Sequence, residues 1–528
     1  MVVTNSLIPL LLVLLSVAVA AMIFPLPEHS VKLRSTINLG GAVAKLVLII
    51  LLVPPVVAEG ARPEFSVPFL PTAGGEAISL VLRVDPLALF FAGLSAVLWL
   101  LTTVYAIGYL EGKPNRSRFF GFFGLCVAAT VGISFSGNLI TFLVFYELLT
   151  LVTYPLVAHW GDEKSLNAAK LYMRYALGGG VAVLIGVVWL TMEAGAVDFA
   201  EGGAADVAEL AARSPGVVVL IFVLLVGGLG VKSALVPLHS WLPAAMVAPA
   251  PVSALLHAVA VVKAGVFGIV RVIDDVYGIH VAWELGVLTP LLVIASITVI
   301  YGSYQALRQS EIKRRLAFST ISQVSYVVLG VTMFSVAGTA GGVVHLVHQG
   351  LMKITLFFCA GLFAESMGAH TIAQLRGAGR RMPWTSAAFT VGAFGMIGLP
   401  PTAGFVSKWQ LGLGALDSPH PWVLVVLVVS SLLNAAYFLP VVYSLWFGEP
   451  DDGERLSHEV TSRGAESAEA IEAAPSRRRG HLSKIREPGM LLVPALCTAG
   501  FTLGVGLATS LTFSPLQIAR FIAEGVFG

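Results

Sequence analysis

Lys232-Ser233-Ala234-Leu235-Val236-Pro237-Leu238-His239-Ser240-Trp241-Leu242-Pro243 lies within residues 215–274, between one apolar segment that carries Lys232 and a second that carries Lys263. A lysine at the centre of a hydrocarbon-length helix costs about 2.5–3.5 kcal/mol on insertion scales, so each needs a partner, water or a task. Pro237 removes a backbone donor and clashes with the preceding turn. The carbonyls it frees must be met by neighbouring helices or a wet cavity. Charge and helix break together predict an ion path.

The rest of the composition agrees with a membrane setting. Of 528 residues, 57% are hydrophobic and 12% charged, with a mean hydropathy of +0.87. A soluble domain would carry about 25% charged residues. The chain is therefore expected to be an all-α polytopic membrane protein. Its net charge of +2 is dispersed among connections, which excludes nucleic acid as a partner. Cys126, Cys359 and Cys497 each fall inside apolar runs at spacings that fit no metal or disulfide framework. There is no nucleotide-binding glycine pattern and no CxxC, so neither a cofactor nor a metal is expected, and any redox catalysis would lie in other chains. The opening segment contains Ala18-Val19-Ala20 but no basic residue precedes it, and it reads as a retained span.

Apolar runs of about 20 residues give fourteen spans, at 6–24, 35–58, 86–110, 118–135, 138–159, 170–192, 215–241, 250–271, 284–306, 315–335, 338–364, 385–412, 422–447 and 490–512. Connections after odd-numbered spans hold 22 Lys and Arg residues, against 4 after even-numbered ones. That asymmetry places the odd connections in the cytoplasm and both termini on the outer side of a bacterial or archaeal-type cell membrane. Residues 1–117 then hold spans one to three, 118–275 a first five-span unit and 276–447 a second. Residues 448–489 form a mixed-charge cytoplasmic loop without apolar period, expected to be flexible, and 490–528 hold the last span and a tail. Residues 193–214 are an acidic outer loop with room for a short surface helix.

Five lysines fall inside spans: Lys45, Lys232, Lys263, Lys353 and Lys408. Glu147 lies mid-span and is the natural partner of Lys232. Paired, both stay charged; apart, the dry surroundings favour the neutral amine and release of a proton. A pair that opens and closes is a proton gate, and a static pair fixing helix register is the structural alternative. His257 precedes Lys263 by one to two turns. His345 and His348 occupy adjacent turns of one helix face, with Lys353 a turn and a half beyond. Imidazoles pass protons near neutral pH, and this grouping favours a relay over simple helix–helix hydrogen bonding. Lys408 follows another break, at Pro400 and Pro401. The breaks at Pro237 and Pro400–Pro401 sit in spans seven and twelve, as expected of one broken helix per five-span unit. Lys45 snorkels or meets another chain and is given no role.

These residues resemble the antiporter-like, proton-translocating subunits of Mrp-type cation/proton antiporters, respiratory complex I and membrane-bound hydrogenases. The resemblance covers roughly residues 80–450. It rests on Asp85-Pro86-Leu87, Tyr105 with Tyr109, Glu147, Lys232 with the Pro237–Pro243 motif, Ser253, Lys263, His348 with Lys353, and Gly398-Leu399-Pro400-Pro401 leading to Gly404-Phe405 and Lys408. It implies two inverted five-helix repeats, spans four to eight and nine to thirteen, each with a half-channel. Glu147 and Lys232 would be the gate, Lys263 the central connection, and His348 with Lys353 the bridge to Lys408 at the exit. His239, His257 and His345 would support them. Many relatives have Ala-His where this chain has Ala245-Met246, so the local water path is expected to differ. The absence of a long apolar extension after span fourteen argues against the relatives that bear a lateral arm helix. Lys408 and the His348–Lys353 spacing favour an Mrp D-like chain, working with other membrane subunits on protons and Na+ or K+ in the lipid bilayer. The alternative is a proton-pumping chain of a redox-driven complex, an NADH-quinone oxidoreductase or a membrane-bound hydrogenase.

Overall fold

A computed structural model describes residues 2–71, 77–449 and 485–528; residues 450–484 of the expected cytoplasmic loop lie outside the described residues. The helices are α1 Ile8–Ile23, α2 Val31–Val53, α3 Pro86–Tyr109, α4 Arg116–Phe135, α5 Leu139–Val157, α6 Glu163–Ala194, α7 Ala205–Arg213, α8 Pro215–Lys232, α9 Trp241–Ala244, α10 Ala250–Ala258 and α11 Val261–Arg271. They continue as α12 Ile279–Glu284, α13 Leu288–Leu307, α14 Ile312–Thr332, α15 Val336–Met367, α16 Ala378–Arg381, α17 Pro383–Ile397, α18 Ala403–Asp417, α19 Val423–Phe447, α20 Gly489–Leu507 and α21 Pro515–Phe527.

Several helices start where a side chain takes up a free backbone N–H. Asp85 accepts from Ala88 N at 2.8 Å ahead of α3, Asn138 from Thr141 N at 2.9 Å ahead of α5, and Asp162 from Ser165 N at 2.8 Å ahead of α6. The Asp85-Pro86 pair is thus a helix start, with Pro86 at a position where its missing N–H costs nothing.

Eleven helical stretches among the described residues are long and apolar enough to cross a membrane. The short α1, the α14 helix with Lys313, Arg314 and Arg315 in its first turn, and the broken α17–α18 pair supply the other spans of a fourteen-helix fold. Span seven is α8 interrupted before α9, and span twelve is α17 interrupted before α18. Val236–Pro237 and Pro400–Pro401 are cis at the two breaks. Spans five apart in an alternating bundle run in opposite directions, so the two five-helix units are inverted repeats.

Three features depart from the sequence reading. Span eight is broken as well: α10 ends at Ala258, and Ala260 (φ −103°, ψ −87°) interrupts the helix before α11. Ala260 N reaches Leu255 O at 2.9 Å, a wide turn with neither Pro nor Gly to announce it. That span also runs past residue 271, through a π-helical turn, Val272–Tyr277. Arg271, Asp274 and Asp275 looked like a connection but are buried. Finally, a three-stranded sheet, Val2–Asn5, Ala61–Pro71 and Ala77–Arg83, caps one end of the bundle. Its first pair is parallel and its second antiparallel, with Glu64 opposite Arg83. The acidic loop holds the short helix α7, seated by buried Val207 and Leu210. The tail after the last span folds into α21, against α15 and α3.

The Ala250–Tyr277 stretch is buried throughout, and so is α15 over residues 338–363. α15 packs on α14, α18, α20, α10 and α17. Lys263, His345, His348 and Lys353 therefore lie on the innermost two elements.

Candidate functional site

In the first unit α8 ends at Lys232, which is 1% exposed. The break after it frees backbone acceptors, and the motif supplies their donors. Trp241 Nε1 donates to Val231 O at 2.8 Å and Ser233 Oγ to Leu229 O at 3.0 Å. The Lys232 ammonium donates to Tyr146 O and stands 3.3 Å from the centre of the Tyr146 ring, a cation–π contact. Glu147 is the ninth residue of the nineteen in α5. It is half-buried, and its Oε1 is buried without a hydrogen-bond partner. Glu147 and Lys232 form no ion pair among the described residues; Tyr146 holds the ammonium instead, and the expected pair is open.

At the centre Lys263 Nζ donates to Leu346 O on α15 at 2.6 Å, between His345 and His348 in sequence. His345 Nδ1 meets Ser407 Oγ of α18 at 2.8 Å, and its Nε2 has no partner. Both ring nitrogens of His348 and of His257 are buried and unpaired, and the His257 ring lies 4.7 Å from that of Phe357. Buried imidazole nitrogens without a protein partner are costly unless water reaches them. Lys353 donates to Ser319 Oγ and to Leu316 O (3.3 Å) on α14. His345 is within electrostatic reach of both Lys263 and Lys408, and His257 within reach of Lys353. His345, expected only to support, is tied through Ser407 to α18, the helix that carries Lys408.

Lys408 folds back over the break in span twelve. Its three ammonium donors go to Met396 O (3.0 Å), Ile397 O (2.9 Å) and Ser431 Oγ (3.1 Å). Those carbonyls are free because Gly398, in the left-handed region at φ 93°, ends α17. A helix break thus makes a cation cradle without a carboxylate. Lys45 is different again. It is fully buried, donates to Ser16 Oγ and lies 4.8 Å from the Trp99 ring centre, so it neither snorkels nor awaits another chain. His239 is 9% exposed, with its ring 4.9 Å from that of Tyr301 beside the first break.

A cavity of about 620 Å3 opens at the end of the bundle that carries the basic connections, lined by Tyr109, Lys164, Met246, Lys313, Gly361 and Glu365 among others. Lys313 Nζ donates to Met246 O (3.0 Å) and Ala248 O (2.7 Å), so a lysine from α14 supplies polarity beside the apolar Met246. Ala250 also lines the cavity. His257 is seven residues further along α10, about 10 Å at 1.5 Å per residue. At the opposite end Arg271 bridges Asp85 (2.7 Å) and Asp275 (2.6 Å).

Sequence reasoning by charge passed over the neutral members of the site. Ser319, Ser407, Ser431, Asn434 and Tyr437 are hydroxyls and an amide inside apolar spans, a sign available in the sequence. Gly180 had no such sign: the carboxylate of Glu147 occupies the space its missing side chain leaves.

A fourteen-helix bundle with two inverted, broken-helix repeats and a buried line of lysines defines an antiporter-like membrane protein. The family described as NADH:quinone oxidoreductase/Mrp antiporter, TM, matches residues 136–434, and the N-terminal family of complex I chain 5 matches residues 70–120. The chain belongs to this family of antiporter-like subunits. NADH-quinone oxidoreductase subunit N of Desulforudis audaxviator is 34% identical over 98% of this chain and 97% of its own length. A probable K(+)/H(+) antiporter A/B chain of Rhizobium meliloti is 30% identical over 77% of this chain, which spans only 40% of that longer protein. A chain of the Mrp complex from Dietzia sp. superposes with a TM-score of 0.82 at 25% identity, covering 99% of both chains.

Proposed function

We infer that this chain is the proton-translocating component of a multisubunit Na+ or K+/proton antiporter, of the Mrp D-like type. The observation that carries this reading is the line of four lysines inside the spans, Lys232, Lys263 and Lys353 buried and Lys408 half-buried, none held in an ion pair among the described residues. A buried ammonium held by a carboxylate strands that charge when it loses its proton, whereas lysines on carbonyls and hydroxyls can lose a proton without doing so.

Protons reach the axis by water from the cavity at the basic end, which reads as cytoplasmic by the distribution of Lys and Arg. Approach of Glu147 to Lys232 favours the ammonium, and withdrawal favours proton release toward Lys263. His345 and His348, with Lys353 and His257 alongside, carry the proton between the repeats to Lys408, whose cradle faces the exit. Residues 118–275 and 276–447 act as the two half-channel units, and other membrane subunits supply the cation route.

A second reading has its own support, the 34% identity to a chain of an NADH-quinone oxidoreductase over nearly the whole length. There, redox chemistry in other chains would drive the same path. Vesicles containing the intact complex separate the two. The antiporter reading expects a Na+ or K+ gradient to move pH without any electron donor. A strict requirement for a reductant overturns it in favour of the redox machine.

A further inference from the structure

The second repeat contains a row of buried polar side chains that the charged residues alone do not explain. Lys353 docks on Ser319 Oγ. One turn before Ser319, Arg315 Nη1 donates to Tyr437 O at 2.8 Å, which brings α19 alongside this part of α14, and the Tyr437 hydroxyl donates to Asn434 Oδ1 at 2.6 Å. Asn434 Nδ2 donates to Met396 O at 3.2 Å, the carbonyl on which Lys408 also rests at 3.0 Å. Ser319, Tyr437 and Asn434 are all fully buried. Asn434 has one workable orientation: its nitrogen must donate to the carbonyl, because its oxygen already accepts from Tyr437 and, at 3.4 Å, from Ser303 Oγ.

An amide fixed in this way is a poor proton carrier, since two hydroxyls point at its oxygen. It is well suited to transmit orientation. When Lys353 is charged it donates to Ser319, and every donor in the row points toward Met396 O. When Lys353 is neutral its nitrogen accepts from Ser319. The Ser319 oxygen is then free to draw the Tyr437 hydroxyl, and on that turn Asn434 loses its 2.6 Å donor. Hydrogen bonds in a chain polarise one another by about 10–30% each, so this reversal alters how firmly Asn434 competes with Lys408 for the shared carbonyl.

We propose that Tyr437 and Asn434 are positioning residues that couple the state of Lys353 to the carbonyl cradle of Lys408 through Ser319 and Met396. The coupling rests on the proton-path reading above and adds the span-thirteen helix α19 to it.

The test uses the intact complex in vesicles, with proton flux followed across a range of pH. Tyr437→Phe removes one oxygen atom and should lower flux about tenfold and displace the pH profile, with assembly retained. Ser319→Ala should do the same. The double variant should be no worse than either single one, where independent effects would multiply to about a hundredfold. Unchanged flux and profile in Tyr437→Phe, or multiplied losses in the double variant, would overturn the coupling. Lys408→Ala run in parallel separates the two ideas. If it abolishes flux while Tyr437→Phe does nothing, the path stands and the coupling falls; if Lys408→Ala itself transports normally, the path reading fails first. Should Asn434→Ala fail to assemble, the serine and tyrosine variants still decide the matter.

Discussion

Gly180 on α6 lies so close to Glu147 that a Cβ built on it would collide with the carboxylate Oε1, while the neighbouring Gly178 faces open space. Glu147 therefore rests in a niche cut into α6, away from Lys232. Gly180→Ala should force the carboxylate out and lower proton flux about tenfold, in line with the roughly 1–3 kcal/mol that overpacking costs. Gly178→Ala, which meets nothing, should leave flux within about twofold and improve helix propensity by up to about 1 kcal/mol. Equal flux in the two variants would remove the niche from the gate. Glu147→Gln should nearly abolish flux with assembly intact.

Arg271 holds two carboxylates on different helices, Asp85 at the start of α3 and Asp275 one turn away in its own span. Removing it leaves buried Asp275 and half-buried Asp85 without their shared cation. Arg271→Leu should destabilise the protein by about 3–5 kcal/mol, the cost of stranding partners of a buried ion pair. Asp85→Asn should cost less, because an amide oxygen can still accept from Ala88 N and cap the helix. Thermal unfolding in detergent measures both; an unchanged transition in Arg271→Leu would contradict the bridge.

Much of this was legible in sequence because the membrane magnifies a few signals. A buried lysine and an interrupted apolar run are conspicuous where nearly everything else is Val, Leu, Ala and Gly, and Lys232, Lys263, Lys353 and Lys408 stood out for that reason. The break at Ala260 was not legible, since its cause is packing inside the bundle rather than a residue that cannot be helical. The end of span eight was misplaced because Arg271, Asp274 and Asp275 mimic a loop; Arg271 is tolerable inside because Asp275, four residues on, and Asp85, 186 residues away in sequence, both pair with it. The open state of Glu147 and Lys232 is likewise a property of Tyr146 and Gly180, neither of which carries a charge.

His159 follows α5 at the basic end of the bundle and is buried, with both ring nitrogens unpaired. Burial first, then the positive charges of Arg118 and Lys113, push its pKa down to about 4, from an ordinary 6.5, with Glu28 opposing. The unfolded chain thus binds a proton between about 6.5 and 4 that the folded chain refuses, and stability must fall as pH drops through that window. Above about pH 6.5 the group contributes no slope. His159→Gln should flatten this part of the stability profile measured in detergent; an identical slope in the variant would show that other groups set it.

The cavity at the basic end is lined by Ala250 of α10 and by Ala360, Gly361 and Ala364 of α15, the two helices that carry His257 and Lys353. If water follows this route to the axis, filling it should slow transport without touching any titratable group. Ala364→Trp puts an indole into the cavity lining and should lower proton flux about tenfold while ion-pair chemistry elsewhere is intact. Ala364→Cys should be labelled by a membrane-impermeant thiol reagent added on the side of the basic connections, and labelling should reproduce the loss. Native Cys126 and Cys359 are buried, so Cys497→Ser gives a quiet background for that measurement. Full transport in the tryptophan variant, or a labelled cysteine with undiminished flux, would send the water path elsewhere. The break beside Lys232 would then be the first place to look, because His239 is the one histidine of the path with measurable exposure there.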